Sequence, residues 1–498
     1  MTADSHPYVT AEPFLGLPPQ WMHDDDARRI EAYRLYQAMY WTEPRGLRIK
    51  RPEGEQAVQL PDPRTVVNTT AHYFCKGLSV AMPGTSTDTG ADQALQAFLK
   101  RERFRSKFMV AKRQGVAFGD FLLHLTGDPD APAGARISLN SIDPGEYFPV
   151  WDEDDLDRKE AVHLARQEII NEGDPQRERV MIRRKTYRYV RPGRGLNRQV
   201  WVSEGLYDPE TWFRRGGRPT REILADSRLP DAIQTIPIYH FRNQPWRGDP
   251  FGSSELRGLE GLFQAVDQTM TDEQIALRLE GRGVYVTDAP PPRDPETGEE
   301  EDWEVAPGKV LGVAEGRRFD RVQGVDNVTP FLDHVGKLQD SMWESSGTPE
   351  IARGRAEVTA AESGIALAIQ FSPVLAKIED REAEAMDVLG NFWWDWTGWM
   401  GFFEGIAFDQ PPEVTLGDKL PLNEDAFLTR MSLLLKDRIV SREWVRGQVR
   451  ARLGLDIPDS MEDQVLSESQ AMAEAFELPG TSRVDQEAGG GDTDGVTT

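Results

Sequence analysis

Few side chains in this sequence are of the kinds that do covalent or metal chemistry, and their spacing works against it. The seven histidines, His6, His23, His72, His124, His163, His240 and His334, are scattered, with no paired spacing that would hold zinc. His124 in FLLHL and His240 in IPIYHF fall in strand-like runs, and they read as sheet histidines satisfied by neighbours. The one cysteine, Cys75, excludes an intrachain disulfide and a thiolate metal cluster, and it suits a reducing compartment. Pro307-Gly308-Lys309-Val310 lacks the upstream glycine and the hydroxyl of a phosphate loop, and no glycine-rich dinucleotide fingerprint follows a strand. Ser253 and Ser254 are not in a GxSxG elbow, so Ser253 reads as a helix N-cap. The acidic run Asp152, Glu153, Asp154, Asp155 could hold a divalent ion, as a soluble metal-dependent hydrolase would need, but it reads better as a solvated turn. The expectation is a protein that is not an enzyme and carries no cofactor and no metal.

The elements that would position any site are clearer than the site. A chain of 498 residues and 56.1 kDa is too long for one core, and about three domains are expected. After an arm reaching about Pro19, helices are expected over Asp24–Tyr40, from Pro61 to near Gly77, and over Ala91–Phe118. From Ala135 to about Phe241 the pattern alternates and is rich in β-branched and aromatic residues, which predicts an antiparallel sheet. Helices followed by strands make the fold class α+β. A helix is then expected from Phe251, with Leu256, Leu259, Leu262, Phe263, Val266 and Met270 forming one apolar stripe. A proline-rich, acidic excursion with short strands near Val284–Val286 and Val310–Val313 separates it from a second helix striped by Phe331, Val335, Leu338 and Met342. A long helix from about Ala361, interrupted by Pro373, runs into a tryptophan-rich end. A strand and two more helices follow, and then a tail with too little apolar content to fold.

Charge narrows the function further. A formal net charge of −25 argues against a sequence-specific duplex-DNA binder, which needs a basic face. The most apolar stretch, Asn391–Phe408, carries Asp395 and Glu404, which are costly at mid-bilayer, so a buried helix end is expected there instead of a membrane span. MTADSHPYVTAEPF lacks the basic and apolar regions of a signal peptide, and a soluble protein is expected.

Four stretches, in order over Ser141–Glu382, resemble the portal proteins of tailed bacteriophages of the long-tailed siphophage type. SIDPGEYFPVWDEDD is similar to the family's sheet segment. IPIYHFRN with DPFGSSELRGLEGL is similar to the approach to its first stem helix, and WEVAPGKVLGV to the return strand of its clip. AAESGIALAIQFSPVLAKIEDRE is similar to the start of its tunnel helix. The resemblance implies a ring, usually of twelve copies, at one capsid vertex. Duplex DNA passes through the ring without sequence specificity, driven in by a separate large terminase. The implied partners are also the scaffolding and major capsid proteins and a head-completion adaptor; no membrane is involved. The implied location is the virion, after assembly in the host cytoplasm. Transferred to this chain, the wing covers residues 1–250, the first stem helix 251–281, the clip 282–328 and the second stem helix 329–345. The channel loop covers 346–361, the long kinked helix with wing closure 362–420, a helical crown 421–476 and a disordered acidic tail 477–498. In that frame Glu350, Arg353 and Arg355 are the expected channel contacts, and Arg293, Glu299, Glu300 and Trp303 the expected docking residues of the clip. Twelve copies would carry on the order of −300 formal charges, which either keeps the lumen from trapping phosphate or keeps a large ring soluble.

Overall fold

The computed structural model describes residues 24–449 apart from 44–45, 84–89, 153–157, 171–178, 191–197, 214–216, 301–315, 323–327, 355–363, 420–423, 441–443 and scattered short runs. It divides into two compact units, Met1–Leu420 and Pro421–Thr498.

The first unit opens with helices α1 (Asp24–Trp41) and α2 (Asp62–Cys75). Gly77, at φ +71°, turns the chain out of α2 into the short strand β1 (Ser79–Ala81). The helix expected over Ala91–Phe118 is in fact two, α3 (Gly90–Glu102) and α4 (Phe104–Phe118), because Arg103 adopts a left-handed conformation at φ +50°. The break serves Glu102, whose buried carboxylate accepts the Leu139 amide at 3.0 Å and the Lys107 ammonium at 2.8 Å. Joining the helices through Arg103 would carry that carboxylate off the strand edge.

Gly119, at φ +106°, ends α4 and delivers the chain to strand β2 (Asp120–Gly127), the centre of a three-stranded sheet with β3 (Ile137–Ile142). A five-stranded antiparallel meander comes next: β4 (Tyr147–Trp151), β5 (Lys159–Ile170), β6 (Arg179–Val190), β7 (Gln199–Tyr207) and β8 (Arg221–Arg228). Strand β9 (Ile238–Arg242) returns to the other edge of β2. The expected antiparallel sheet is therefore present as two sheets, and the fold is α+β.

The remaining elements are helix α5 (Glu260–Arg282), the hairpin of β10 (Val284–Thr287) and β11 (Phe319–Val322), and helix α6 (Thr329–Ser345). The 40-residue helix α7 (Gly364–Phe403) comes after them, then strand β12 (Glu413–Thr415), which pairs with β1. In the second unit helix α8 (Glu424–Lys436) packs Phe427 and Met431 against Val445 and Val449. The tail 477–498 lies outside the described residues.

The two largest apolar cores among the described residues hold the first unit's helices to its sheets and to each other. One gathers Phe108 of α4, Phe121 of β2 and Phe241 of β9 against Trp393 and Trp396 of α7, with the Phe121 and Phe241 rings stacked 4.3 Å apart. The other joins Tyr33, Tyr36 and Met39 of α1, Val66 and Val67 of α2 and Val116 of α4 to Leu256, Leu259, Phe263, Met342 and Trp343. The acids of the apolar segment 391–408 are tied down: Asp395 accepts the Tyr239 hydroxyl at 2.8 Å, and Glu404 accepts the amides of Gly134 and Arg136 at 2.6 and 2.9 Å. Among the described residues no helix is long and apolar enough to cross a membrane.

Candidate functional site

The candidate site is the hairpin of α5 and α6 with the finger between them, and it is built from its root outward. The expected start of the first helix at Phe251 is corrected: α5 begins at Glu260. Gly258, at φ +84°, cannot be helical, so Leu256 and Leu259 sit in the turn before the helix while still filling its core. The capping serine is also corrected. Ser254, not Ser253, holds the turn: its Oγ accepts the Leu256 amide at 3.0 Å and donates to the Ala117 carbonyl at 2.6 Å. Gly252 has no room for a side chain, since a Cβ there would stand 2.1 Å from the Gly119 carbonyl oxygen.

Above the root, α5 is bound along its polar face by the segment 47–60. Gln264 donates to the Arg48 carbonyl at 3.0 Å, and Gln268 exchanges two bonds with the Lys50 backbone at 2.7 and 2.9 Å, as a neighbouring strand would. The chain turns near Arg278, which pairs with Glu55, and comes back to Thr271 and Asp267, which accept the amides of Val58 and Leu60 at 3.0 and 2.9 Å. Burial, with Asp62 nearby, pushes the Asp267 carboxyl up to about 7 against the pull of the Leu60 bond. Sequence reasoning missed this strap, because side-chain amides that replace a strand edge leave no periodic signal.

The finger continues α5 directly. Val284 pairs with Val322 and Thr287 with Phe319, so the return strand that pairs is Phe319–Val322; the expected one at Val310–Val313 lies outside the described residues. Of the expected docking residues, Arg293 and Glu300 form an exposed ion pair at 3.2 Å, and Glu299 and Trp303 lie outside the described residues.

At the other end of α6 a short 3-10 turn, Glu350–Arg353, begins the expected channel loop. The structure turns Arg353 inward: its guanidinium lies 4.0 Å from the centre of the Trp343 ring, 3.8 Å from the Glu350 carboxylate, and its side chain is only 4% exposed. Glu350 is exposed at 71%, and Arg355 lies outside the described residues. In the single chain, therefore, Glu350 is the one of these three seen to face solvent.

Between the root and the loop lies a charge node that sequence reasoning also missed. Glu255, buried before α5, accepts from Arg381 Nε at 3.0 Å, Lys377 Nζ at 3.3 Å and Asn243 Nδ2 at 3.1 Å. Burial alone would raise its pKa, but Lys377 and Arg381 overcome that and hold the carboxyl below its ordinary value. Lys377 also donates to the Ser346 carbonyl at 2.9 Å, so one α7 side chain bridges the segment before α5 to the residue after α6. Lys377 and Arg381 stand four residues apart, on one face of α7, and that spacing was the only signal available. Beside the node, Asp120 accepts His240 Nε2 at 2.7 Å and the Gly252 amide at 2.8 Å, and it also takes the Tyr33 hydroxyl. His240 and His124, the latter 2.9 Å from the Tyr187 hydroxyl, are the satisfied sheet histidines expected. Burial holds His124 at about 3 and, against the pull of Asp120, lowers His240.

A family model described as phage portal protein, SPP1 Gp6-like, matches residues 23–450. The chain belongs to that family. No curated protein matches the chain. The match runs from the edge of α1 through α5, α6 and α7 into the second unit, so the node, strap and finger all lie within the matched residues. The acidic run of the hydrolase reading gains nothing here: Asp152 stands 3.8 Å from Arg158, and Glu153, Asp154 and Asp155 lie outside the described residues. Among the described residues no group of three or more His, Cys, Asp or Glu is placed to hold a metal.

Proposed function

We propose that this portal protein forms a ring, of twelve copies as is usual for the family, at one vertex of a phage capsid, and that duplex DNA enters and leaves through it. In this reading α5 and α6 are the stem, the β10–β11 finger is the clip, residues 346–361 are the channel loop and residues 421–476 the crown. The helices and sheets before residue 250, with the tryptophan-rich end of α7, are the wing. The large terminase and later a head-completion adaptor dock on the clip, and the scaffolding and major capsid proteins surround the wing. The ring is assembled in the host cytoplasm and ends in the virion. The observation that carries the reading is the rooted hairpin. Two packed helices with an exposed finger at one end, locked at the other end through Glu255 to a 40-residue strut, form a rigid unit suited to walling a channel. An acidic chain suits a channel, because phosphate finds few places to lodge.

The test is mass photometry with negative-stain imaging, which should find rings many times the 56.1 kDa of one chain; a strict monomer at all salt concentrations sinks the proposal. Deletion of Pro290–Glu301 should leave rings intact and abolish terminase or adaptor binding in a pull-down. Undiminished binding would remove the finger tip from docking.

A further inference from the structure

The hairpin carries opposite charges on two separate features at the same height. The strap that runs up α5 presents Arg48, Lys50 and Arg51, all exposed and, among the described residues, without an ion-pair partner. Glu53, at the turn of the strap, is the one exposed acid close to them in sequence, and Glu55 is taken by Arg278. On α6 the exposed residues Asp333, Lys337, Asp340 and Glu344 recur at steps of four, three and four, which places them on one face, roughly opposite the buried Val335 and Met342. That face has a net charge of −2, and none of its acids is ion-paired among the described residues.

The heights come from helix geometry. The strap's Lys50 is fixed to Gln268, 14 residues before the finger end of α5, or about 21 Å at 1.5 Å per residue. Glu344 and Asp340 stand 15 and 11 residues from the finger end of α6, or about 22 and 16 Å. Copies related by rotation about an axis along the hairpin keep these heights. A basic strap on one copy then stands level with an acidic face on the next.

We infer that the strap residues Arg48, Lys50 and Arg51 of one copy dock on the Asp340–Glu344 end of the acidic α6 face of the neighbouring copy, a head-to-tail contact that sets the spacing of the stems. The inference rests on the ring proposed above. It commits to a second copy of this chain as the occupant, because the two charge sets are complementary, sit at matching heights and, among the described residues, form no ion pair with each other within one copy. Such a contact is heterologous, and it makes a ring where the rotation between copies closes. It also acts through long-range charge, so it steers assembly and excludes wrong registers more than it adds affinity.

The experiment is a charge-swap cycle on the full chain, read by mass photometry at about physiological salt, where exposed charges act over roughly 8 Å. The strap reversal Arg48→Glu, Lys50→Glu, Arg51→Glu and the helix reversal Asp340→Lys, Glu344→Lys should each raise the concentration for half-assembly at least tenfold. Both reversals together should restore assembly to within a few-fold of the natural chain. Thermal melts of the subunits should be unchanged, since all five side chains are exposed. If the natural chain forms rings and either reversal assembles equally well, or the combined variant is no better than each alone, this contact is wrong and the ring stands. If the natural chain forms no ring, the ring reading falls and this contact falls with it.

Discussion

Removing Glu255 tests whether the node is what locks the root of α5 to α7. In Glu255→Ala, Arg381, Lys377 and Asn243 lose an acceptor at 3.0, 3.3 and 3.1 Å, in a place where the Arg381 and Lys377 side chains are only 7% and 10% exposed. Breaking a buried ion pair from one side costs about 3–5 kcal/mol, because the remaining charge stays buried without its partner. Lys377 keeps the Ser346 carbonyl and Arg381 keeps Asp380, so a value near the low end, about 3 kcal/mol, is expected. With an unfolding entropy of about 2.1 cal/mol/K per residue over roughly 400 residues, that is a drop in Tm of about 3–4 °C. The pH dependence adds an independent check. The folded carboxyl titrates below its ordinary value of 4.5, so its stabilisation is fully present above that value and is lost as pH falls through the folded pKa. The difference between the natural chain and Glu255→Gln should therefore be constant from pH 8 to about pH 5 and shrink in more acid solution. Denaturant titrations at a series of pH values measure both. A Glu255→Ala protein within about 0.5 kcal/mol of the natural chain, or a difference that persists undiminished into acid, would refute the node as a structural lock.

Two further predictions concern α5 and the end of α7. Asp267 titrates at about 7 when folded, above its ordinary 3.8, so it contributes stability below the lower value that is lost as pH rises through the higher one. Asp267→Asn, which keeps an acceptor for the Leu60 amide, should be more stable than the natural chain at pH 8 and lose that advantage towards pH 4; equal denaturation midpoints at pH 8 would contradict this. Trp396→Ala, at a fully buried position, should cost about 3–5 kcal/mol, while Trp394→Ala, 63% exposed, should change subunit stability by less than about 0.5 kcal/mol. Equal losses in the two would mean that the helix end is not seated as described.

Much of the fold could be read from local pattern. The alternation between Ala135 and Phe241 pointed to antiparallel strands, and the stripe from Phe263 to Met270 to helix α5, because side-chain direction follows backbone period. The order of four motifs pointed to the portal family without any catalytic residue, and a match over residues 23–450 agrees. The element bounds were less legible. The break at Arg103 exists because Glu102 is needed by Leu139, 37 residues away, and the late start of α5 comes from Gly258, whose left-handed φ ends any earlier helix.

What the sequence determined by itself, then, is the class of the protein, the succession of its helices and strands, and the absence of spaced motifs for covalent chemistry, since all of these depend on near neighbours. What only the tertiary structure decided is which charges meet. Arg353, expected from the sequence as a channel contact, lies in the single chain on Trp343. Glu255 holds Lys377 and Arg381, more than 120 residues further along the chain. Gln264 and Gln268 lie outside the apolar stripe of α5 and bind the strap that carries Arg48, Lys50 and Arg51. A charge's role depends on its burial and on the partner brought within about 4 Å, and the chain's fold alone sets both.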